Sequence, residues 1–305
     1  MGETMISLRA GGPAATAPTW TTHVAGAESN VAIALARLGH PVRWYSRVGD
    51  DAFGRLIVRE LTAEGVEVAA ELDPDRPTGH MFLMPTSFGS SVDYHRAGSA
   101  ASALRPEPAV ADLRASAPSL VVLSGITPAL GPDAREATLA VASAARALGC
   151  DVVLDVNHRT KLWSREQARP TLRELAAHAS VVVGSPDELT LIADSPAAAL
   201  ELGPSLVVEK LGERGCRVTT HDGATEVPTI AVPEVDPVGA GDAFTAGLVS
   251  GLLEGLSPVE AARRGTLLGC ACVRHRGDWE GLPTRAELQA ELARRDRGSS
   301  DDVSR

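Results

Sequence analysis

Lysine is almost missing from this chain: Lys161 and Lys210 are the two in 305 residues, and neither follows a glycine. A Walker A phosphate loop, which needs Gly-Lys followed by Ser or Thr, is therefore excluded. Positive charge is in deficit overall, with 29 Lys and Arg against 39 Asp and Glu and a net charge of −10. The arginines are scattered, and without clustered cations neither nucleic acid nor an anionic membrane is an expected partner. There is no apolar run of about 18 residues and no charged-then-apolar leader at Met1, so no membrane-spanning or exported segment is expected. Cysteine is scarce. Cys150, Cys216, Cys270 and Cys272 lack metal-finger spacing, and Cys270 and Cys272, two apart in a helical stretch, point to different faces. They read as small core residues in a reducing compartment, with the cytoplasm as the default location. Internal repeats and long linkers are also lacking, so one large domain is expected over residues 1–295, with a disordered tail over 296–305.

What is present centres on Glu234-Val-Asp-Pro-Val-Gly-Ala-Gly-Asp242-Ala-Phe-Thr-Ala-Gly-Leu. Asp236 and Pro237 end the preceding segment, and after Gly239-Ala240-Gly241 the apolar spacing becomes helical. A glycine loop feeding a helix leaves backbone N–H groups unpaired at the positive end of the helix dipole, a natural cradle for an anion. Asp242 then reads in two ways, as a first-turn carboxylate of an ordinary buried helix or as a base beside a bound phosphate. A Rossmann fingerprint is excluded, because its third glycine is replaced by Phe244.

From Ser119 the pattern is βαβ. Ser119–Leu123, Asp151–Val156, Ser180–Val183 and Ser205–Glu209 are short valine-rich runs, the first three separated by helical segments near 133–149 and 165–178. Near-continuous apolar strands between helices predict a mostly parallel sheet covered on both faces, with ligands at the carboxyl ends of its strands. Asn157, Arg159, Ser185, Glu188 and Lys210 fall at those ends. Further expected elements are a helix from about Gly26 with apolar stripe Val31, Leu35 and Leu38, a strand over Val42–Val48, hairpins over 76–103 and 215–228, and helices over Pro258–His275 and Thr284–Arg295. The first hairpin turns around Phe88 and mixes polar with apolar residues, as a flap over a ligand would.

The run Asp-Pro-Val-Gly-Ala-Gly-Asp-Ala-Phe resembles the signature of the ribokinase-like, PfkB-type carbohydrate kinases, and the likeness extends from Gly2 to about Leu288. It implies a three-layer αβα sandwich with a central, mostly parallel sheet and a small β lid, from about 9–23 and 77–98. It makes Gly239, Ala240 and Gly241 an anion hole and Asp242 the catalytic base. Gly26 and Asn30, alone readable as a turn and a cap, become sugar contacts. Lys210, Gly212 and Gly215 would border the nucleotide with Asn157, Arg159, Ser185 and Thr266. Glu188 would position Mg²⁺ through water, with serine at 185 where the family commonly has asparagine. ATP and Mg²⁺ are implied, K⁺ dependence is left open, and the lid suggests a homo-oligomer. In these relatives a core strand usually precedes the Gly-Glu pair, so either Met1 is a late start or part of an inner strand is lacking.

Tyr94-x-Arg96-x-Gly98-Ser-Ala-Ala-Ser resembles the 2-keto-3-deoxygluconate kinase branch, although Met81 stands where those relatives often have a lid tyrosine. Arg96 and Arg159 would hold the acid end of such a sugar, since two guanidinium groups suit a carboxylate and are ill matched to a neutral sugar. Taken alone, each arginine also reads as one half of a surface salt bridge. The alternatives are a kinase of a neutral sugar such as fructose or ribose, and a catalytically silent sugar-acid sensor.

Overall fold

The computed structural model describes residues 1–87 and 89–302; Phe88, at the expected hairpin turn, and residues 303–305 lie outside them. The chain begins with strands β1 (Met5–Ala10) and β2 (Trp20–Ala25), then α1 (Ala27–Arg37), β3 (Arg43–Gly49), α2 (Ala52–Ala63) and β4 (Glu67–Asp73). The hairpin β5 (His80–Thr86) and β6 (Gly89–His95) follows. Next come α3 (Pro106–Ser116), β7 (Leu120–Ser124), α4 (Pro132–Ala147), β8 (Asp151–Asp155), α5 (Arg165–His178) and β9 (Val181–Gly184). The last third holds α6 (Pro186–Leu189), α7 (Pro196–Leu200), β10 (Leu206–Lys210), β11 (Cys216–Thr220), β12 (Gly223–Val227), α8 (Ala240–Leu253), α9 (Pro258–Val273) and α10 (Arg285–Asp302). The helix α10 continues beyond Arg295, so its backbone is helical over 296–302, where the sequence suggested a disordered tail.

The strand order β12-β11-β10-β9-β8-β7 is parallel from β7 to β10 and antiparallel at β11 and β12. The side-chain period of two then sorts each strand between two cores. Val152, Leu154, Val182 and Val207 face α3, α4 and α5, whereas Val153, Val181, Val183, Leu206 and Val208 face α1, α8 and α9. Each of these side chains is at most 6% exposed. Burial on this scale contributes about 1.5–3 kcal/mol per large aliphatic residue and fixes the register, because a slip of one residue would exchange the two faces. This alternation builds the αβα layers. The expected stripe Val31, Leu35 and Leu38 is buried, and Gly39 ends α1 at φ +83°.

The sheet is divided. Strands β3 and β4 pair with each other, and no described strand lies between β3 and β7. A cavity of about 750 Å³ separates those two edges, walled by Val31, Leu35 and Val249 and by Ala109, Leu113 and Val141. Met1 and Gly2 reach only its end: the Met1 amine donates to Val122 O at 3.4 Å and Gly2 N to Tyr45 O at 3.3 Å. The smaller sheet, ordered β2-β1-β5-β6, forms the flap. Met81 lies directly opposite Tyr94 in its β5–β6 ladder. Its root is buried at Met5, Ile6 and Ser7, and its outer half is open. Asp51 caps α2 through Gly54 N at 2.7 Å and also accepts Thr78 N at 2.8 Å, tying that helix to the base of β5.

Candidate active site

The start of α8 is possible only because residue 239 is glycine. Gly239 has φ +79°, and a Cβ there would stand 2.1 Å from Asp278 O. Both the left-handed conformation and the contact exclude a side chain. The turn delivers Asp242 into the first helical turn, 9% exposed, where the leading amides and the helix dipole converge. Asn30 Nδ2 donates to Asp242 Oδ2 at 2.8 Å, and Asn157 Nδ2 approaches Oδ1 at 3.5 Å. Burial pushes the Asp242 carboxyl up to about 6; the Asn30 bond opposes this, Asp155 adds to it, and Lys210 and Arg159 oppose it. Asn157 itself is held at φ +37°, a left-handed backbone at the end of β8. Strained backbone of this kind persists where the surroundings over-determine it.

Around this carboxylate the sheet ends supply charge. Lys210 Nζ binds both oxygens of Asp155 at 2.9 Å, and Thr245 Oγ1 donates to Asp155 Oδ2 at 2.7 Å. Burial lowers the Lys210 pKa, but Asp155, Glu188 and Asp242 outweigh it and hold the ammonium above its ordinary value. The Lys210 Nζ stands 3.4 Å from where a Cβ on Gly241 would be. Glu188 caps α6 with Ser185: it accepts Ser185 N at 2.7 Å and His158 N at 2.9 Å, which ties β9 to the segment after β8. Gly212 and Gly215 take φ +61° and +90° in the turn after β10, and a Cβ on Gly215 would stand 2.1 Å from Val227 O. Among the described residues no group of three or more His, Cys, Asp or Glu side chains is arranged to hold a metal by itself.

On the flap side the arrangement differs from the sequence expectation. Arg96 is not a free cation: its Nε donates to Glu3 Oε2 at 2.7 Å, its terminal nitrogen pairs with the same oxygen, and Ser99 Oγ donates to Glu3 Oε1 at 2.5 Å. Glu3 is 2% exposed, so the pair is an internal brace between the root of β1 and the end of β6. Arg159 is exposed and makes no ion pair among the described residues, and its charge is felt at Asp242. Tyr94 is 41% exposed, its ring flanked by Lys161 Nζ at 5.3 Å and Arg96 Cζ at 5.9 Å. Gly26 begins α1 with extended backbone, and a Cβ there would lie 2.5 Å from Glu3 O. Asn30 is 2% exposed, and its Oδ1 has no partner. Such a buried acceptor is costly unless a ligand supplies a donor. Thr266 is buried in α9 and donates to Arg263 O at 2.7 Å.

Sequence reasoning missed Asp155, Glu3 and Asp278. An acidic residue closing a valine-rich strand was a usable signal for Asp155. Nothing local marks the others. Asp278 is buried against Arg9 at 2.8 Å and supplies the carbonyl that packs on Gly239. Burial drives its carboxyl up to about 7, Arg9 opposes this, and Asp242 reinforces it.

A near-neutral carboxylate at an amide-rich helix start, at the carboxyl ends of parallel strands and beneath a β flap, is equipped to deprotonate a hydroxyl as phosphate is transferred to it. That defines an α/β phosphotransferase. The chain belongs to the pfkB family of carbohydrate kinases, whose description matches residues 1–285. It is 36% identical over 286 residues to a 2-dehydro-3-deoxygluconokinase of Bacillus subtilis strain 168, covering 90% of this chain and 88% of that protein. Over 278 residues it is 36% identical to a 2-dehydro-3-deoxygalactonokinase of Haloferax volcanii, covering 86% and 85%. The crystal structure of a PfkB protein from Polaromonas sp. JS666 superposes with a TM-score of 0.82 at 35% identity, covering 95% of this chain and 97% of that one. Among the described residues no helix is long and apolar enough to cross a membrane.

Proposed function

We propose that this kinase transfers the terminal phosphoryl group of ATP to the primary hydroxyl of 2-keto-3-deoxygluconate or a closely similar keto-deoxy sugar acid. The observation that carries the reading is the buried Asp242 carboxylate, oriented by Asn30 beside the glycine turn of α8. Asp242 accepts the hydroxyl proton while the sugar oxygen forms its bond to phosphorus and the bond to the departing ADP oxygen breaks. The amides at the start of α8 receive the charge that develops on the phosphoryl oxygens. The unpartnered Asn30 Oδ1 is an acceptor for a sugar hydroxyl. Arg159 is the cation available to the acid end.

Asp155, Glu188 and Asp242 place three carboxylates around Lys210. No three described carboxylates close on a metal and Asp155 is already held by Lys210, so Glu188 is the residue that would anchor a magnesium ion, held largely through water. The chemistry such an ion would supply is neutralisation of charge on the phosphates. Lys210, Gly212 and Gly215 border the nucleotide in this reading. The exposed aromatics Trp20 and Tyr94 on the flap support contact with a second copy of the chain, which sedimentation of the purified protein as a dimer or monomer decides.

The Arg96–Glu3 brace favours a second reading, a neutral sugar such as fructose or ribose, because it removes one of the two cations expected at the acid end. A coupled ADP-release assay over sugar acids and neutral sugars, with and without K⁺, separates the two. Preference for the keto-deoxy acids supports the first reading, and preference for fructose or ribose overturns it.

A further inference from the structure

Lys210 is placed where it could do harm. An ammonium in direct contact with Asp242 would hold that carboxylate ionised at low basicity and weaken it as a proton acceptor. It is drawn instead across β9 to the end of β8, where Asp155 takes it with both oxygens at 2.9 Å. Asp155 Oδ2 also accepts Thr245 Oγ1 at 2.7 Å, from one helical turn beyond Asp242 on the same helix. Asp155 is 3% exposed and Thr245 0%, so the arrangement is shielded from water. The anchored ammonium lies against Gly241 in the turn.

We propose that Asp155 is a positioning residue that pins Lys210 beneath the glycine turn, directing its charge to the phosphoryl group held there and withholding it from Asp242. The inference rests on the kinase reading for what the ammonium serves, and on the Lys210–Asp155–Thr245 contacts for where Asp155 holds it. The groups facing Asp242 are Asn30 from α1, Asp155 from β8, Asn157 and Arg159 from the segment after it, Lys210 from β10, and Cys272 and Asp278 from α9 and the segment that follows. Asp155 and Lys210 act on Asp242 with opposite sign, although they form one ion pair.

The test is a carbon-13 titration of the Asp242 carboxyl in the full-length protein without nucleotide. Asp155→Asn removes a repelling charge and frees Lys210, so the Asp242 midpoint should fall by about one pH unit or more; Lys210→Met should raise it by a similar amount. Thr245→Val removes one bond to Asp155 and no charge, and should shift the midpoint down by less, which keeps the inference testable if Asp155→Asn does not fold. In turnover, Lys210→Met should lower kcat about 10²-fold and Asp155→Asn about 10-fold, with the double variant less than additive. An unchanged or raised Asp242 midpoint in both Asp155→Asn and Thr245→Val overturns the inference. Absence of turnover in the unmodified protein would sink the kinase reading and leave the titration arm standing.

Discussion

Asn30 and Asp242 meet across 212 residues of chain: the Asn30 amide donates to the carboxylate at 2.8 Å, and the Asn30 carbonyl oxygen stays buried without a partner. One side chain thus holds the Asp242 carboxylate with one end and presents an acceptor with the other. Asn30→Ala should raise KM for the sugar and lower kcat/KM by roughly 10–100-fold. Since the lost bond favours the ionised carboxylate, the acid limb of the pH profile should also move to higher pH. A change in KM with an unmoved limb would separate the two roles.

The unmodified enzyme should gain kcat/KM as pH rises through about 6, because the free-enzyme base must be ionised and burial has pushed Asp242 up to that value. Above about 7 this limb should be flat. Initial rates in a coupled assay from pH 5 to 8 check it, and a limb centred near 4 would mean that Asp242 is not the group being read.

Asp242→Asn should lower kcat by roughly 10²–10⁴-fold. Its effect on stability has the opposite sign. A carboxyl whose folded pKa lies above its unfolded value contributes stability present below the unfolded pKa, which is lost as pH rises through about 6. At neutral pH the ionised Asp242 is therefore a burden, and the amide variant should melt about 2–4 °C higher. Scanning calorimetry at pH 7.5 measures this; a marked drop in Tm would show a structural role instead.

Gly239→Ala meets both a left-handed backbone and the Asp278 carbonyl. Strain of about 1–2 kcal/mol from the backbone alone, together with the displaced carbonyl, should lower Tm and abolish most turnover. An alanine variant with normal kcat would show that the turn tolerates reshaping.

The parallel sheet was readable because valine-rich runs alternating with helical segments admit few other arrangements, and the Asp242 loop because glycine and aspartate have definite backbone and charge consequences at a helix start. The resemblance already raised the lack of part of an inner strand, but local pattern did not place the division of the sheet between β3 and β7. Strand pairing joins residues far apart in sequence, and local pattern carries no register between them. The sequence could offer Arg96 as a cation, but only folding shows that Glu3, 93 residues away, has already matched its charge.

By itself, then, the amino-acid order determined the layers and the glycine turn and singled out Asp242 as the candidate base, since periodicity and local backbone freedom fix the first two and the motif marks the third. Tertiary structure alone decided how burial acts on Asp242, where Lys210 spends its charge and which arginine is already paired. Those properties depend on burial and on distances between groups that meet only when the chain is folded.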